Sequence, residues 1–187
     1  MSSVVLYRID AEGVTHPHRY VPNAWAGARW IWDVLNAQYA PSPAAVPTRA
    51  AILHPPCWDL CNARALSPRD TLVCAFTFDG AWVAQGDLPA LADALDAFYA
   101  AFGRGRIDPT LPSIASALRE LATRPATRGA CVQQTTVARA AWVFRDAADG
   151  ASRPFVFGRD PRTPAGHTPW NLFEDYGPVP HPGKDPR

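Results

Sequence analysis

The sequence predicts an α+β fold with a mostly antiparallel sheet built from hairpins, about three helices packed on it and a Pro-rich C-terminal tail. Apolar runs of strand length come in pairs that turn residues separate, and the segments between these pairs repeat their apolar residues at helical spacing. Strand pairs that flank helices are typical of α+β proteins rather than of alternating βαβ units. Residues 1–160 are expected to form one domain, and residues 161–187 a tail that docks in part through its aromatic side chains.

The stretch 71–103 is predicted to be a β-β-α unit at the centre of the fold. The dipeptide Asp79-Gly80 separates the apolar runs TLVCAFTF and AWVAQG, which is the strongest short-range hairpin signal. Asp87 is expected to cap the following helix through its carboxylate, and Pro89 fits the first helical turn. Leucine and aromatic residues then recur at helical spacing until a glycine ends the helix.

The N-terminal part is predicted to be a hairpin followed by a helix. Residues 4–9 and 14–21 have the composition of strands, and residues 10–13 form the turn between them. Pro17 cannot donate to a sheet ladder, so it restricts the second strand to an edge or breaks it. A helix is expected over residues 24–39, where apolar side chains recur at helical spacing.

The C-terminal half is predicted to contain a second long helix and a further hairpin. The helix is expected to begin at Leu111 or Ser113 and to end at Thr123. An extended run over 131–145 is then expected to pair with residues 153–158 across a turn. The residues expected to dock the tail are Trp170, Leu172, Phe173 and Tyr176.

Residues 40–70 show the least regular pattern in the chain. A short strand is expected near 50–53, a Pro-stiffened segment over 54–61, and a turn over 67–70. A long stretch with little regular structure inside a compact domain is uncommon and is often functional. This segment is therefore the first place to look for a site.

Within that segment, His54, Cys57 and Cys61 form a candidate metal or thiol site. Imidazole and thiolate groups suit zinc, and His16 or His18 would have to supply a fourth ligand. A cysteine nucleophile with His54 as its base is a second reading of the same residues. The C-x3-C spacing is less diagnostic than C-x2-C, so the competing interpretation is a loop whose thiols pack around Trp58.

Composition argues against several classes of partner. The formal net charge is +1, whereas nucleic-acid and anionic-membrane binders usually carry a clear basic excess. No apolar run approaches the roughly 20 residues of a spanning helix, and no signal peptide is recognisable. The four cysteines are expected to be free thiols in a cytoplasmic protein of bacterial or phage origin.

Tryptophan and arginine stand out as candidate recognition residues. Trp30 and Arg29 lie off the apolar stripe of their helix, and Trp and Arg are enriched where proteins bind one another. The competing interpretation is that Trp30 covers the sheet edge or the tail. The arginines between residues 104 and 128 would form a positive patch if they faced one way, and an ordinary solvated surface otherwise. They are Arg104, Arg106, Arg119, Arg124 and Arg128.

The first functional hypothesis is a small cytoplasmic protein that binds another macromolecule, foremost a protein, through an aromatic and arginine surface. The residues assigned to this surface are Arg29, Trp30, Trp58, Arg104 and Arg106. One alternative is a zinc- or thiol-dependent enzyme centred on residues 54–61, and another is a nucleic-acid-binding accessory protein that uses the 104–128 arginines. Outside the zinc alternative no cofactor is expected, an enzymatic role is disfavoured, no membrane partner is expected, and homo-oligomerisation stays open.

Overall fold

The computed structural model of the chain describes residues 3–22, 24–39, 66–77, 81–105, 110–133, 143–145, 152–154 and 170–173. The fold is α+β with helices packed on a largely antiparallel sheet, as predicted. Among these residues, none of the helices combines the length and the apolar character needed to span a bilayer. The elements in chain order are β1 (Ser3–Asp10), β2 (Thr15–Pro22), α1 (Ala24–Tyr39), α2 (Pro68–Ala75), β3 (Ala81–Ala84), α3 (Leu88–Phe102), α4 (Thr110–Thr123), β4 (Thr127–Gln133), β5 (Val143–Arg145), β6 (Ser152–Pro154) and β7 (Trp170–Asn171).

The main sheet has the strand order β2-β1-β4-β3-β7. Neighbouring strands are antiparallel except β7, which pairs parallel with β3. The strand that contains Pro17 lies at an edge of this sheet, as predicted. The register slips between β1 and β2, so that Leu6 faces Arg19 while Tyr7 faces Pro17. His18 is therefore the extra residue of a β-bulge.

The core lies between the sheet and the four described helices. The inward face of the sheet contributes Leu6, Val83 and Val132, which are at most 1% exposed. The helices contribute the fully buried side chains Leu35, Leu88, Leu91, Phe98, Leu118 and Leu121. The tail joins this core through Leu172, which is 0% exposed directly after the strand that pairs with β3.

The predicted strand over residues 71–78 is wrong, because residues 68–75 form the helix α2. The Ser67 hydroxyl accepts a hydrogen bond from the Asp70 amide at 3.2 Å, and Pro68 occupies the first turn. The predicted turn over 67–70 is thus a helix cap. Every residue from 70 to 77 is buried, and a run that is buried on all sides has no periodicity that separates strand from helix.

Other parts of the predicted central unit are confirmed or lie outside the described residues. The strand β3 and the helix α3 are present, but Asp79-Gly80 is not described. Asp87 precedes α3 without a side-chain hydrogen bond to the first turn, which corrects its predicted capping role. The reason is that Gln85–Asp87 already forms a 3₁₀ turn, which leaves Asp87 itself with helical φ and ψ angles. Burial raises the pKa of the Asp87 carboxyl.

Most of the remaining predicted elements are present, but the extended run expected over 131–145 contributes to two sheets. The strand β4 begins at Thr127 and belongs to the main sheet, whereas β5 lies in a separate two-stranded sheet. The first hairpin, the helices α1 and α4 and the pairing of β5 with β6 are all present. Cys131 lies in a strand as expected, whereas Cys74 lies in α2 rather than in a strand, and both are buried and form no disulfide. The strand expected over 50–53 lies outside the described residues.

Candidate functional site

Several residues of the predicted sites fall outside the part of the chain that the structure describes. Trp58 and Arg106 are among them, as are His54, Cys57 and Cys61, so the zinc and thiol hypotheses stay predictions.

Arg29 lies in α1, but its side chain is not among those described. Trp30 and Arg104 are described.

The two histidines considered as distant zinc ligands have separate partners. The Nε2 atom of His16 lies 2.6 Å from Asp10 Oδ2, at the first hairpin. The Nε2 atom of His18 lies 3.6 Å from Glu120 Oε1, against α4. Within the described ranges, no three His, Cys, Asp or Glu side chains converge in a geometry that would hold a metal ion.

Trp30 packs on the outer part of α3. Its ring centroid lies 5.5 Å from that of Phe98 and 6.1 Å from that of Tyr99, in edge-to-face geometries of 75° and 77°. The Phe98 ring also lies 4.9 Å from Phe102. Phe98 is fully buried, whereas the other three rings are partly buried. Edge-to-face pairs of this kind stabilise packing beyond the area that they bury.

Arg69 lies over the same group of rings. Its guanidinium carbon is 5.4 Å from the Phe102 centroid and 5.9 Å from the Phe98 centroid, within the range of a cation–π contact. Its Nε donates to Asp70 Oδ1 at 2.7 Å, and the Tyr39 hydroxyl donates to Asp70 Oδ2 at 2.6 Å. The arginine side chain is 34% exposed, while that of Asp70 is 1% exposed.

The charge of Asp70 is stabilised by its hydrogen bonds. Burial alone would raise the pKa of the Asp70 carboxyl, but hydrogen bonds from Arg69, Tyr39 and Ser67 outweigh burial, and the pKa is lowered. The carboxylate therefore stays ionised and ties the end of α1 to the start of α2. It also holds the Arg69 guanidinium by one edge.

Five side chains define what we call the aromatic–arginine surface. They are Trp30, Arg69, Tyr99, Phe102 and Arg104. Phe98 is the buried floor beneath the rings, and Arg104 is exposed in the turn after α3. Sequence reasoning found Trp30 and Arg104 but placed Tyr99 and Phe102 on a buried helix face and Arg69 in a turn. The sequence Ser-Pro-Arg-Asp could have indicated that Arg69 lies in the first turn of a helix. No pattern in the neighbouring sequence predicts the contact of Arg69 with α3.

The other arginines do not join this surface. Gln85, just before α3, donates to the carbonyls of Ala122 and Arg124 at 3.0 and 3.1 Å, so the start of α3 meets the end of α4. The two helices are therefore antiparallel. Arg104 and Arg124 consequently lie at opposite ends of the pair, roughly 20 Å apart for a helix of this length.

Two further arginines have partners of their own. Arg119 donates to Asp96 and Asp93 at 2.7 Å each. Arg128 lies over the Trp82 ring, 5.6 Å from its centroid, beside the sheet. The described arginines of the 104–128 stretch thus do not share one face.

Comparisons of this chain with protein-family models, with curated proteins and with solved structures gave no match. The geometry of the described residues therefore has to carry any functional conclusion.

Proposed function

We propose that this protein acts by binding another protein through the aromatic–arginine surface. The observation that carries the proposal is the clustering of three partly buried rings with two arginines at one end of α3. Tryptophan, tyrosine and arginine are the residues most enriched among those that dominate binding energy at protein interfaces. Rings that are already packed against a buried floor also lose little conformational freedom when a partner covers them.

Charge placement favours a protein partner over a nucleic acid. Nucleic acids bind through many phosphate contacts, which require several cations on one face. Here Arg119 is neutralised by two aspartates, and the arginines at the two ends of the α3–α4 pair lie far apart. The formal net charge of +1 points the same way. A partner with a few carboxylates among apolar side chains complements this surface better.

The same proposal places the protein in the cytoplasm. Cys74 and Cys131 are buried and form no disulfide. Cysteines that form no disulfide are typical of proteins in a reducing compartment.

The test compares two arginine substitutions of the same kind at opposite ends of the α3–α4 pair. Immobilised protein would be used to capture proteins from a lysate of the source organism, with the wild type beside Arg104→Glu, Tyr99→Ala and Arg124→Glu. Arg104 and Arg124 are both exposed, so Arg124→Glu is the matched control. We expect a captured protein that the control retains and that Arg104→Glu and Tyr99→Ala each reduce at least about ten-fold, which is 1.4 kcal/mol of binding free energy.

Two results would overturn the proposal. One is a captured protein that all four forms retain equally, because its binding would not depend on this surface. The other is no captured protein at all from a lysate in which the source cells express the chain.

A further inference from the structure

Arg69 has both a buried aspartate and two aromatic rings as partners. Its Nε donates to Asp70, and its guanidinium lies against the Phe98 and Phe102 rings. Its two terminal amino groups make no hydrogen bond to any described residue, although the side chain is one-third exposed. Four N–H donors of the guanidinium are thus without a hydrogen bond to a described residue.

The hold on Arg69 is rigid because its anchor is itself fixed. Asp70 is buried and accepts from the Tyr39 hydroxyl through its second oxygen, so both carboxylate oxygens are engaged. The Nε hydrogen bond sets the plane of the guanidinium, and the rings restrict its tilt. An arginine prepared in this way loses less side-chain entropy when it meets a ligand than a freely moving one.

The paired terminal amino groups of a guanidinium match the two oxygens of a carboxylate. We infer that Arg69 is the anchor of the aromatic–arginine surface and receives an Asp or Glu carboxylate of the partner protein. This inference rests on the proposed function and specifies the chemistry of its partner. The neighbouring rings of Phe102 and Tyr99 offer an apolar rim for the methylene groups of such a side chain.

The charge at the site favours a carboxylate over a phosphate. Arg69 already forms an ion pair with Asp70, and the one further described cation that the surface includes is Arg104. A phosphate group carries up to two charges and usually recruits a cluster of arginines or several backbone amides. A singly charged carboxylate needs a single guanidinium group, and Arg69 offers its two terminal amino groups.

The first experiment measures anion binding to the isolated protein. Sodium acetate is titrated while the Nε–H group of each arginine is followed by proton–nitrogen NMR, with sodium chloride as the ionic-strength control. We expect a saturable shift of the Arg69 signal with acetate and none with chloride. Arg119 is an internal control, because its terminal amino groups are already bonded to Asp93 and Asp96. The Arg69→Lys variant identifies the signal by its loss.

Three results of the titration would overturn the inference. They are the absence of a saturable shift at Arg69, an equal shift at Arg119, and saturation by inorganic phosphate at a lower concentration than acetate. The last result would assign the site to a phosphate ligand. All three are measured on the wild type, and the Arg69→Lys variant serves only to assign the Arg69 signal.

The second experiment separates this inference from the proposed function. In the capture assay, Arg69→Lys should lower the captured partner at least about ten-fold, while Arg119→Lys should leave it unchanged. If acetate does not shift the NMR signal of Arg69 but Arg104→Glu and Tyr99→Ala still abolish capture, the proposed protein binding is supported. The inference that Arg69 binds a carboxylate is then overturned. If acetate binds at Arg69 but every surface variant captures as much protein as the wild type, the proposed function is overturned. The assignment of the carboxylate to a partner protein is overturned with it.

Discussion

Arg69 and Arg119 are both paired with aspartate, yet they use opposite parts of the guanidinium. Arg119 places one terminal amino group on Asp96 and the other on Asp93, so its fork is consumed in a clasp between α3 and α4. Arg69 donates only its Nε to Asp70, and its two terminal amino groups make no hydrogen bond to a described residue. Arg119 therefore links α3 to α4, whereas the terminal amino groups of Arg69 are the ones that we propose bind a carboxylate.

The aspartates differ as much as the arginines. Asp93 and Asp96 are 74% and 41% exposed, whereas Asp70 is 1% exposed. Exposed ion pairs are screened by water and salt and contribute little to stability. Removal of the acceptor of a buried pair leaves donors unsatisfied, which is costly. The contrast therefore predicts that removal of the Asp70 carboxylate lowers the free energy of unfolding far more than removal of the Asp93 carboxylate.

The largest expected effect is that of Asp70→Ala. This change leaves the Tyr39 hydroxyl and the Arg69 Nε without their acceptor, and we expect it to lower the free energy of unfolding by about 2–4 kcal/mol. The estimate lies below that for a fully buried ion pair because Arg69 is partly exposed to solvent. Urea denaturation of Asp70→Ala beside Asp93→Ala provides the measurement, and equal losses in the two variants would contradict the comparison.

The pH dependence of that contribution has a defined sign. The pKa of Asp70 is lowered in the folded state, so its stabilisation is complete above the unfolded value, about 4. It is lost as the pH falls through the folded pKa, because the unfolded carboxyl binds its proton first. The Asp70→Asn variant should therefore lose less stability between neutral and acidic pH than the wild type does.

A second, smaller contrast concerns two buried polar groups, the carboxylate of Asp70 in α2 and the Nε2 atom of His18 against α4. Asp70 is fully hydrogen-bonded, whereas the Nε2 atom of His18 is buried without a hydrogen bond to any described residue, and Glu120 is 3.6 Å away. Burial lowers the pKa of His18. Arg124, Arg19 and Arg8 lower it further, and Glu120 partly opposes them.

We expect His18 to destabilise the fold mildly in acid. Its folded pKa is depressed, so its contribution is complete above the unfolded pKa of about 6.5 and declines as the pH falls below that value. The loss should be at most about 1 kcal/mol because the neighbouring carboxylate and partial solvent access moderate it. Thermal unfolding of the wild type and His18→Gln across this range measures it. The variant should lack this pH-dependent step, and an unchanged profile in His18→Gln would contradict the assignment.

The smallest effect is expected from Arg119→Ala. The arginine is 44% exposed and its aspartates are exposed as well, so its loss should cost less than about 1 kcal/mol at low salt. Hydrogen bonds to Asp93 and Asp96 raise the pKa of Arg119, so its charge persists across the working pH range. Denaturation at low and high salt should show the difference from wild type shrinking as salt screens the pair. A large or salt-independent loss of stability would mean that the Arg119 ion pairs behave like the pair of Arg69 with the buried Asp70, and it would contradict the comparison.

Local signals were sufficient for most elements of the fold. The first hairpin, α1, α3, α4 and the pairing of β5 with β6 are encoded by period-2 or helical spacing and by turn residues. Pro17 also predicted an edge strand correctly, because a residue without an N–H group cannot donate to a neighbouring strand. These features depend on residues that are close in the chain.

The misassigned element shows where such signals fail. Residues 70–75 of α2 are buried on every side, so their apolar pattern does not record which faces are turned inward. Only the cap pointed to a helix, since Ser67, Pro68 and Asp70 have the residue types of a helix start. A turn and a helix cap use the same residue types, and here the tertiary packing of the residues that follow decides between the two.

The amino-acid sequence by itself determined the class of fold, the edge position of β2 and the presence of an amphipathic α3. Only the tertiary structure decided which side chains form the aromatic–arginine surface. Trp30, Arg69 and Phe98 lie on three different helices and meet only after α1, α2 and α3 pack together. Spacing along the chain encodes the faces of one helix. The contacts between helices depend instead on how side chains from distant segments fill a shared volume.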